Sequence, residues 1–293
     1  MNLASYKTKS LHGEVTCPGD KSVSQRIVII GSLLNCDMRV NGFLNAQDPI
    51  STVNALNSIG SSISINGNEL ILKKREVMFK NPEQVLNLGN SGTGARLLLG
   101  LISGLGLRSS ITGDSSLSKR PMNRIIEPLK MMGARLSSDK GMLPISTQGS
   151  KIINNFEYEM PIASAQVKSC LLLTAMSAKK NIKITEPKIS RDHTERMIDF
   201  FGGNIAYGNN QNSRLIELNH SELEPKDTFN VPGDFSSASF IIVATIISKD
   251  SEVLIKNVGL NESRKGLLEI LILMGADILI KNQKEISNEI VGD

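Results

Sequence analysis

The chain has 293 residues, 40% hydrophobic and 21% charged, which is room for two domains with cores of their own and excludes collagen, coiled coil and intrinsic disorder. The net charge of +4 comes from 33 basic and 29 acidic residues scattered without a Lys/Arg run, and with no Trp there is little to stack on bases, so small acidic ligands are expected and nucleic acid is not. Cys17, Cys36 and Cys170 are odd in number and lack C-x-x-C spacing, and no stretch approaches the roughly 20 apolar residues of a membrane span or an apolar leader, so the expectations are reduced thiols, no metal, no membrane and a cytoplasmic location.

Along the chain, four segments run small polar residues directly into an apolar, helix-like stretch. They are Pro18-Gly19-Asp20-Lys21-Ser22 before VSQRIVIIGSLL, Gly89-Asn90-Ser91-Gly92-Thr93 before GARLLLGLI, Ala163-Ser164-Ala165-Gln166 before VKSCLLLTAM, and Pro232-Gly233-Asp234-Phe235-Ser236-Ser237 before ASFIIVATII. Their starts at residues 18, 89, 163 and 232 set a beat of about seventy residues. A second marker keeps the same beat: amphipathic stretches that end in Gly60, Gly133, Gly202 and Gly275, each followed by an alternating, strand-like run. Any α/β protein repeats helix and strand at some spacing, but that explains one marker and not two in phase. Each unit is thus predicted to be a small α/β motif holding two helices and several strands.

The first turn of a helix presents unpaired N–H groups and the positive end of the macrodipole, so small residues there admit an anion. At the first start, Lys21 adds a mobile charge and Ser22 a hydroxyl. Arg26, four residues after Ser22 on the same helical face, can form a bidentate pair with phosphate or carboxylate. A Walker A loop fits poorly, because Asp20 separates Gly19 from Lys21 and Gly13 stands at the wrong spacing, which leaves nucleotide binding a minor alternative. Taken alone, the segment is equally compatible with a plain N-cap and solvated cations. The same ambiguity holds for Gly92, with Arg96 one turn into its helix, and for Arg120, which Pro121 keeps in the loop before the next helix. In Ser190-Arg191-Asp192-His193-Thr194-Glu195, Ser190 or Asp192 is the expected N-cap, with Glu195 completing a capping box with Asp192. His193, one of only three histidines, has no metal-ligand spacing around it.

The stretches PGDKSVSQR, LGNSGTGAR, GDSSLSKRPMNR, PIASAQVKSCLLL, SRDHTERM and VPGDFSSASF resemble, in order, the signatures of the 5-enolpyruvylshikimate-3-phosphate (EPSP) synthase family, most closely its class II branch. The resemblance implies an α/β (α+β) fold, the enolpyruvyl transferase fold of repeated βαβαββ units (an inside-out α/β barrel). It implies transfer of the enolpyruvyl group of phosphoenolpyruvate to the 5-hydroxyl of shikimate 3-phosphate in the shikimate pathway, with no cofactor, by a protein that is monomeric at full length. Carried over by position, Lys21, Ser22, Arg26, Ser164, Ala165, Gln166, Ser190 and Arg191 would hold shikimate 3-phosphate. Lys21, Gly92, Arg120 and Gln166 would hold phosphoenolpyruvate, and Gly92 would set sensitivity to glyphosate, which competes with it.

The family fold has six units, and four are expected here. The family's catalytic Asp and Glu fall beyond Asp293, so no catalytic residue is assigned; Asp48 and Glu195 are available carboxylates that match no motif. Residues 14–229 are expected to form a complete three-unit domain, and 1–13 with 230–293 part of a second one that exposes unfinished core. Such a chain would bind shikimate 3-phosphate weakly without turnover. The sibling UDP-N-acetylglucosamine enolpyruvyl transferase is disfavoured because residues 110–125 lack its loop cysteine. An inactive anion-binding remnant of the enzyme is the alternative from another functional class.

Overall fold

A computed structural model describes residues 4, 9–210 and 213–293. The chain opens with β1 (His12–Thr16), α1 (Lys21–Leu34), β2 (Met38–Asn41), α2 (Gln47–Ser58), β3 (Ser62–Asn66) and β4 (Glu69–Lys73). A second unit follows as β5 (Leu86–Asn87), α3 (Gly92–Leu105), β6 (Arg108–Thr112), α4 (Asn123–Met131), β7 (Ala134–Ser138) and β8 (Ile145–Ser150). The third is β9 (Phe156–Glu159), α5 (Ala165–Ser177), β10 (Ile182–Glu186), α6 (His193–Phe200), β11 (Ile205–Asn210) and β12 (Ser213–Leu218). The remainder comprises β13 (Thr228–Asn230), α7 (Phe235–Ile247), β14 (Glu252–Lys256), β15 (Val258–Gly259), α8 (Gly266–Leu273), β16 (Lys284–Ile286) and β17 (Glu289–Gly292).

All four predicted helix starts are helix N-termini with a working cap. The side chains of Asp20, Ser91, Ser164 and Asp234 accept from the N–H groups of Val23, Gly94, Val167 and Ser237, opening α1, α3, α5 and α7. The helix stops hold as well: Gly60, Gly133, Gly202 and Gly275 follow α2, α4, α6 and α8 with φ of 110°, 100°, 70° and 90°, a conformation glycine adopts without a Cβ penalty.

Three sheets of four strands share one order, β5-β6-β8-β7, β9-β10-β12-β11 and β13-β2-β4-β3. In each, the outer first strand runs parallel to its neighbour and the other pairings are antiparallel. The first sheet therefore borrows its opening strand from residues 228–230, while β1 pairs in parallel with β14, Val15 opposite Ile255. A boundary between residues 13 and 14 falls inside β1, and one between 229 and 230 inside β13. Two chain segments meet at Gly19 and Gly233, which form an isolated bridge: Asp20 N–H donates to Pro232 O at 2.8 Å and Asp234 N–H to Pro18 O at 2.8 Å. A Cβ on Gly19 would lie 1.8 Å from Gly42 O, so only glycine passes there.

The main core joins the three sheets to α1, α3 and α5, which bury residues on nearly every side. α3 and α5 approach so closely that a Cβ on Gly100 would lie 2.4 Å from Cys170 O. A second, small core gathers Cys17, Phe235, Ala238, Val258 and Leu268. Around it Phe240, Ile247, Leu273 and Met274 are 79%, 78%, 87% and 77% exposed. Among the described residues, no helix is long and apolar enough to cross a membrane.

Candidate anion-binding site

The helix starts of α1, α3 and α5 lie around one region. At α1, the Lys21 ammonium pairs with Asp48, in the first turn of α2, and the Lys21 N–H donates to Asp234 Oδ2 at 3.1 Å. Ser22 Oγ accepts from Arg191 Nη1 at 3.5 Å. Arg26 is only 2% exposed, and its three donor nitrogens are bonded to Thr194 Oγ1 (2.8 Å), Ser169 Oγ (2.9 Å) and the Ser22 carbonyl (3.0 Å). It stands behind Ser22 rather than beside it. Burial pulls its pKa down to about 10, with Glu195 the chief charge opposing that.

At α5, Ser164, Ala165 and Gln166 line a cavity of about 610 Å³ together with Ile189, Ser190 and Arg191, and with Glu262 and Ser263 from the loop before α8. Gln166 Nε2 reaches out to Thr93 Oγ1 at 2.9 Å, in the first turn of α3. There Gly92 leaves room for two guanidinium groups: a Cβ at this position would lie 2.9 Å from Arg96 Nη1 and 3.1 Å from Arg120 Nη1. Arg120 is held by Asn90 Oδ1 (2.5 Å) and Ser116 Oγ (3.3 Å). Arg96, 4% exposed, donates to the carbonyls of Gly92 (2.9 Å) and Pro121 (3.4 Å). Burial, reinforced by Arg124 and Arg120, lowers its pKa to about 10.

Arg96 is buried beside the partly exposed Arg120, and like charges so close repel one another, a cost that an anionic ligand removes. Among the described residues, none of Arg96, Arg120 and Arg191 is in a salt bridge; the arginine ion pairs are those of Arg39, Arg196, Arg214 and Arg264. The described residues include no group of His, Cys, Asp and Glu able to hold a metal ion.

Several residues that shape the site carry no signal in the sequence. Arg264 Nη1 lies 3.1 Å from Asp20 Oδ2, while its Nη2 lies 3.6 Å from Asp234 Oδ1 and donates to Ser236 Oγ at 2.7 Å. It thereby ties together the caps of α1 and α7. The capping box at α6 does not form: Asp192, the N-cap residue, makes no side-chain cap bond. Its carboxylate is occupied by Asn261 Nδ2 (2.7 Å) and Arg196 Nε (3.0 Å) instead. Glu195, expected to fold back toward that cap, points inward to Lys168 Nζ at 2.7 Å. Burial holds the Glu195 carboxyl above the usual range against the pull of that ammonium.

Repeated βαβαββ units whose capped helix starts gather several arginines define an enolpyruvyl transferase architecture, as the resemblance implied. Residues 5–292 match the family model described as EPSP synthase (3-phosphoshikimate 1-carboxyvinyltransferase), and the chain belongs to that family. It is 47% identical over 297 residues to a 3-phosphoshikimate 1-carboxyvinyltransferase from Petrotoga mobilis, covering 100% of this chain and 68% of that protein. It is 43% identical over 300 residues to one from Legionella pneumophila strain Lens, covering 100% and 67%. A solved EPSP synthase from Acinetobacter baumannii superposes with a TM-score of 0.86 at 37% identity, over 98% of this chain and 64% of that one. The chain thus spans about two thirds of the length of these relatives.

Proposed function

We propose that the chain provides the substrate-holding surface of a 3-phosphoshikimate 1-carboxyvinyltransferase, a cytoplasmic enzyme that is monomeric at full length. It moves the enolpyruvyl group of phosphoenolpyruvate to the 5-hydroxyl of shikimate 3-phosphate and releases phosphate. The observation that carries this reading is the set of arginines at linked helix starts that, among the described residues, form no ion pair: Arg96 and Arg120 at α3, Arg191 beside α5, joined through Gln166 and Thr93. Two polyanions must be brought within reaction distance, and fixed cations with oriented N–H groups offset their repulsion while aligning the reacting atoms.

In this reading shikimate 3-phosphate occupies the cavity lined by Ser164, Ala165, Gln166, Ser190 and Arg191, against Lys21 and Ser22, with Arg26 supporting Ser22 from behind. Phosphoenolpyruvate lies against Gly92, Arg120, Gln166 and Lys21. Lys21 exchanges Asp48 for a ligand oxygen, a swap favoured because the half-exposed pair with Asp48 is worth little in water. No proton-transfer role is assigned, since Asp48 and Glu195 match no catalytic motif and Glu195 is buried on Lys168. The three cysteines are free, in keeping with a reducing compartment.

Isothermal titration of the 293-residue chain tests the reading. Shikimate 3-phosphate binds, unphosphorylated shikimate binds at least tenfold more weakly, consistent with the loss of charge-assisted bonds to phosphate, and UDP-N-acetylglucosamine does not bind. Equal affinity for shikimate and its 3-phosphate, or binding of the nucleotide sugar, overturns it.

A further inference from the structure

Lys168 lies two residues beyond Gln166 on α5, yet no ligand can reach it: its side chain and those of Glu186 and Glu195 are all 0% exposed. Its Nζ lies 2.9 Å from Glu186 Oε1 and 2.7 Å from Glu195 Oε1. A buried cluster of three charges costs desolvation that apolar residues of the same volume avoid, so packing alone is a poor reason for it.

Its significance is in what hangs from it. Glu186 accepts from both the Ser190 hydroxyl (2.7 Å) and the Ser190 N–H (3.3 Å), and Lys168 donates to the Ser190 carbonyl at 3.5 Å. All three polar handles of Ser190 are therefore held by one buried ion pair. Arg191 follows directly, with its Nη1 over Ser22 Oγ at the edge of the cavity. On the other side of the cluster, Glu195 is the chief charge favouring ionised Arg26, which supports the Ser22 carbonyl. Both sides of the Ser22–Arg191 contact thus lean on the same buried charges.

We infer that Lys168 and Glu186 are positioning residues that clamp Ser190, so that the Arg191 guanidinium is set over Ser22 before any ligand arrives. The identity of the ligand rests on the proposed function; the clamp itself does not. Preorganisation of this kind removes the cost of ordering a loop arginine on binding.

Amide hydrogen exchange and titration of the full chain test the clamp together. In Lys168→Met and in Glu186→Gln, exchange at residues 188–192 accelerates by roughly tenfold or more, as expected for a segment losing buried bonds, while β12 in the same sheet is unchanged. Shikimate 3-phosphate affinity falls in Lys168→Met and in Arg191→Ala, and the Lys168→Met/Arg191→Ala double variant is no weaker than Arg191→Ala alone. Unchanged exchange at residues 188–192, or affinity losses that add in the double variant, overturns the inference. If Lys168→Met does not fold, Glu186→Gln, which keeps an acceptor for Ser190, is combined with Arg191→Ala for the same cycle. Failure of the unsubstituted chain to bind shikimate 3-phosphate would sink the proposed function, and the exchange measurement would still decide the clamp.

Discussion

The Gln166 side-chain amide donates to Thr93 Oγ1 across 2.9 Å, and this bond joins the first turn of α5 to that of α3. Two helix starts that lie 73 residues apart in sequence at this contact become one surface. Gln166→Leu keeps the size of the side chain and removes the donor. We expect a loss of about 0.5–1.5 kcal/mol in stability, the net worth of one such bond, measured by urea unfolding. Affinity for shikimate 3-phosphate falls together with that for phosphoenolpyruvate. Loss of only one of the two would show that Gln166 serves a single ligand.

Gly92→Ala tests the neighbouring space. The new methyl meets the ends of Arg96 and Arg120, which are flexible enough to move, so the fold tolerates it. The guanidinium groups then lose their placement. Weaker binding of phosphoenolpyruvate and of glyphosate in the presence of shikimate 3-phosphate is expected, with a melting temperature close to that of the parent. Unchanged glyphosate inhibition in an active enzyme carrying this substitution would remove Gly92 from the site.

The helix starts were legible because capping is local: Asp20, Ser91, Ser164 and Asp234 each bond an N–H three residues on, and the stops at Gly60, Gly133, Gly202 and Gly275 need only their own backbone. What escaped detection depends on partners distant in sequence. Asp48 meets Lys21 and Arg264 meets Asp20 only after the chain has folded, and β13 (Thr228–Asn230) finds β2 (Met38–Asn41) from far along the chain. Arg26 illustrates the same limit from the other side. Its position on the face of Ser22 was correct, but whether that face meets solvent or α6 is decided by Thr194. The Asp192–Glu195 capping box failed because each carboxylate had a stronger, non-local partner.

The Asp192 carboxyl makes the contact between α6 and the loop before α8 sensitive to acid. Burial pushes it up, but the Asn261 amide and Arg196 more than reverse this, and it lies below the ordinary aspartate range. A group whose folded pKa is below its unfolded one adds stability above the unfolded value and loses it as pH falls through the folded value. The difference in stability between the parent and Asp192→Asn is therefore constant from about pH 7 to about pH 5 and closes below about pH 4. A difference that persists undiminished to about pH 2 would mean that the charge is immaterial there.

The apolar surface of α7 and α8 has a simple signature. Phe240 and Leu273 are 79% and 87% exposed, so replacing both with serine removes no packing. Stability should change by no more than about 0.5 kcal/mol, while binding of a hydrophobic fluorescent dye falls and solubility rises. Unaltered dye binding would show that this surface is covered in solution.

The strand borrowed from residues 228–230 has a consequence for the ribosome. The sheets of the second and third units are built from contiguous sequence, so each can close as soon as its last strand has emerged. The first sheet, although synthesised earliest, keeps an open edge on β2 until β13 appears almost two hundred residues later. Contacts so distant in sequence are slow to form, and an unpaired strand edge invites the wrong partner. Of these three sheets the one whose strands are made first is therefore the last that can be completed, and those strands depend longest on protection during synthesis.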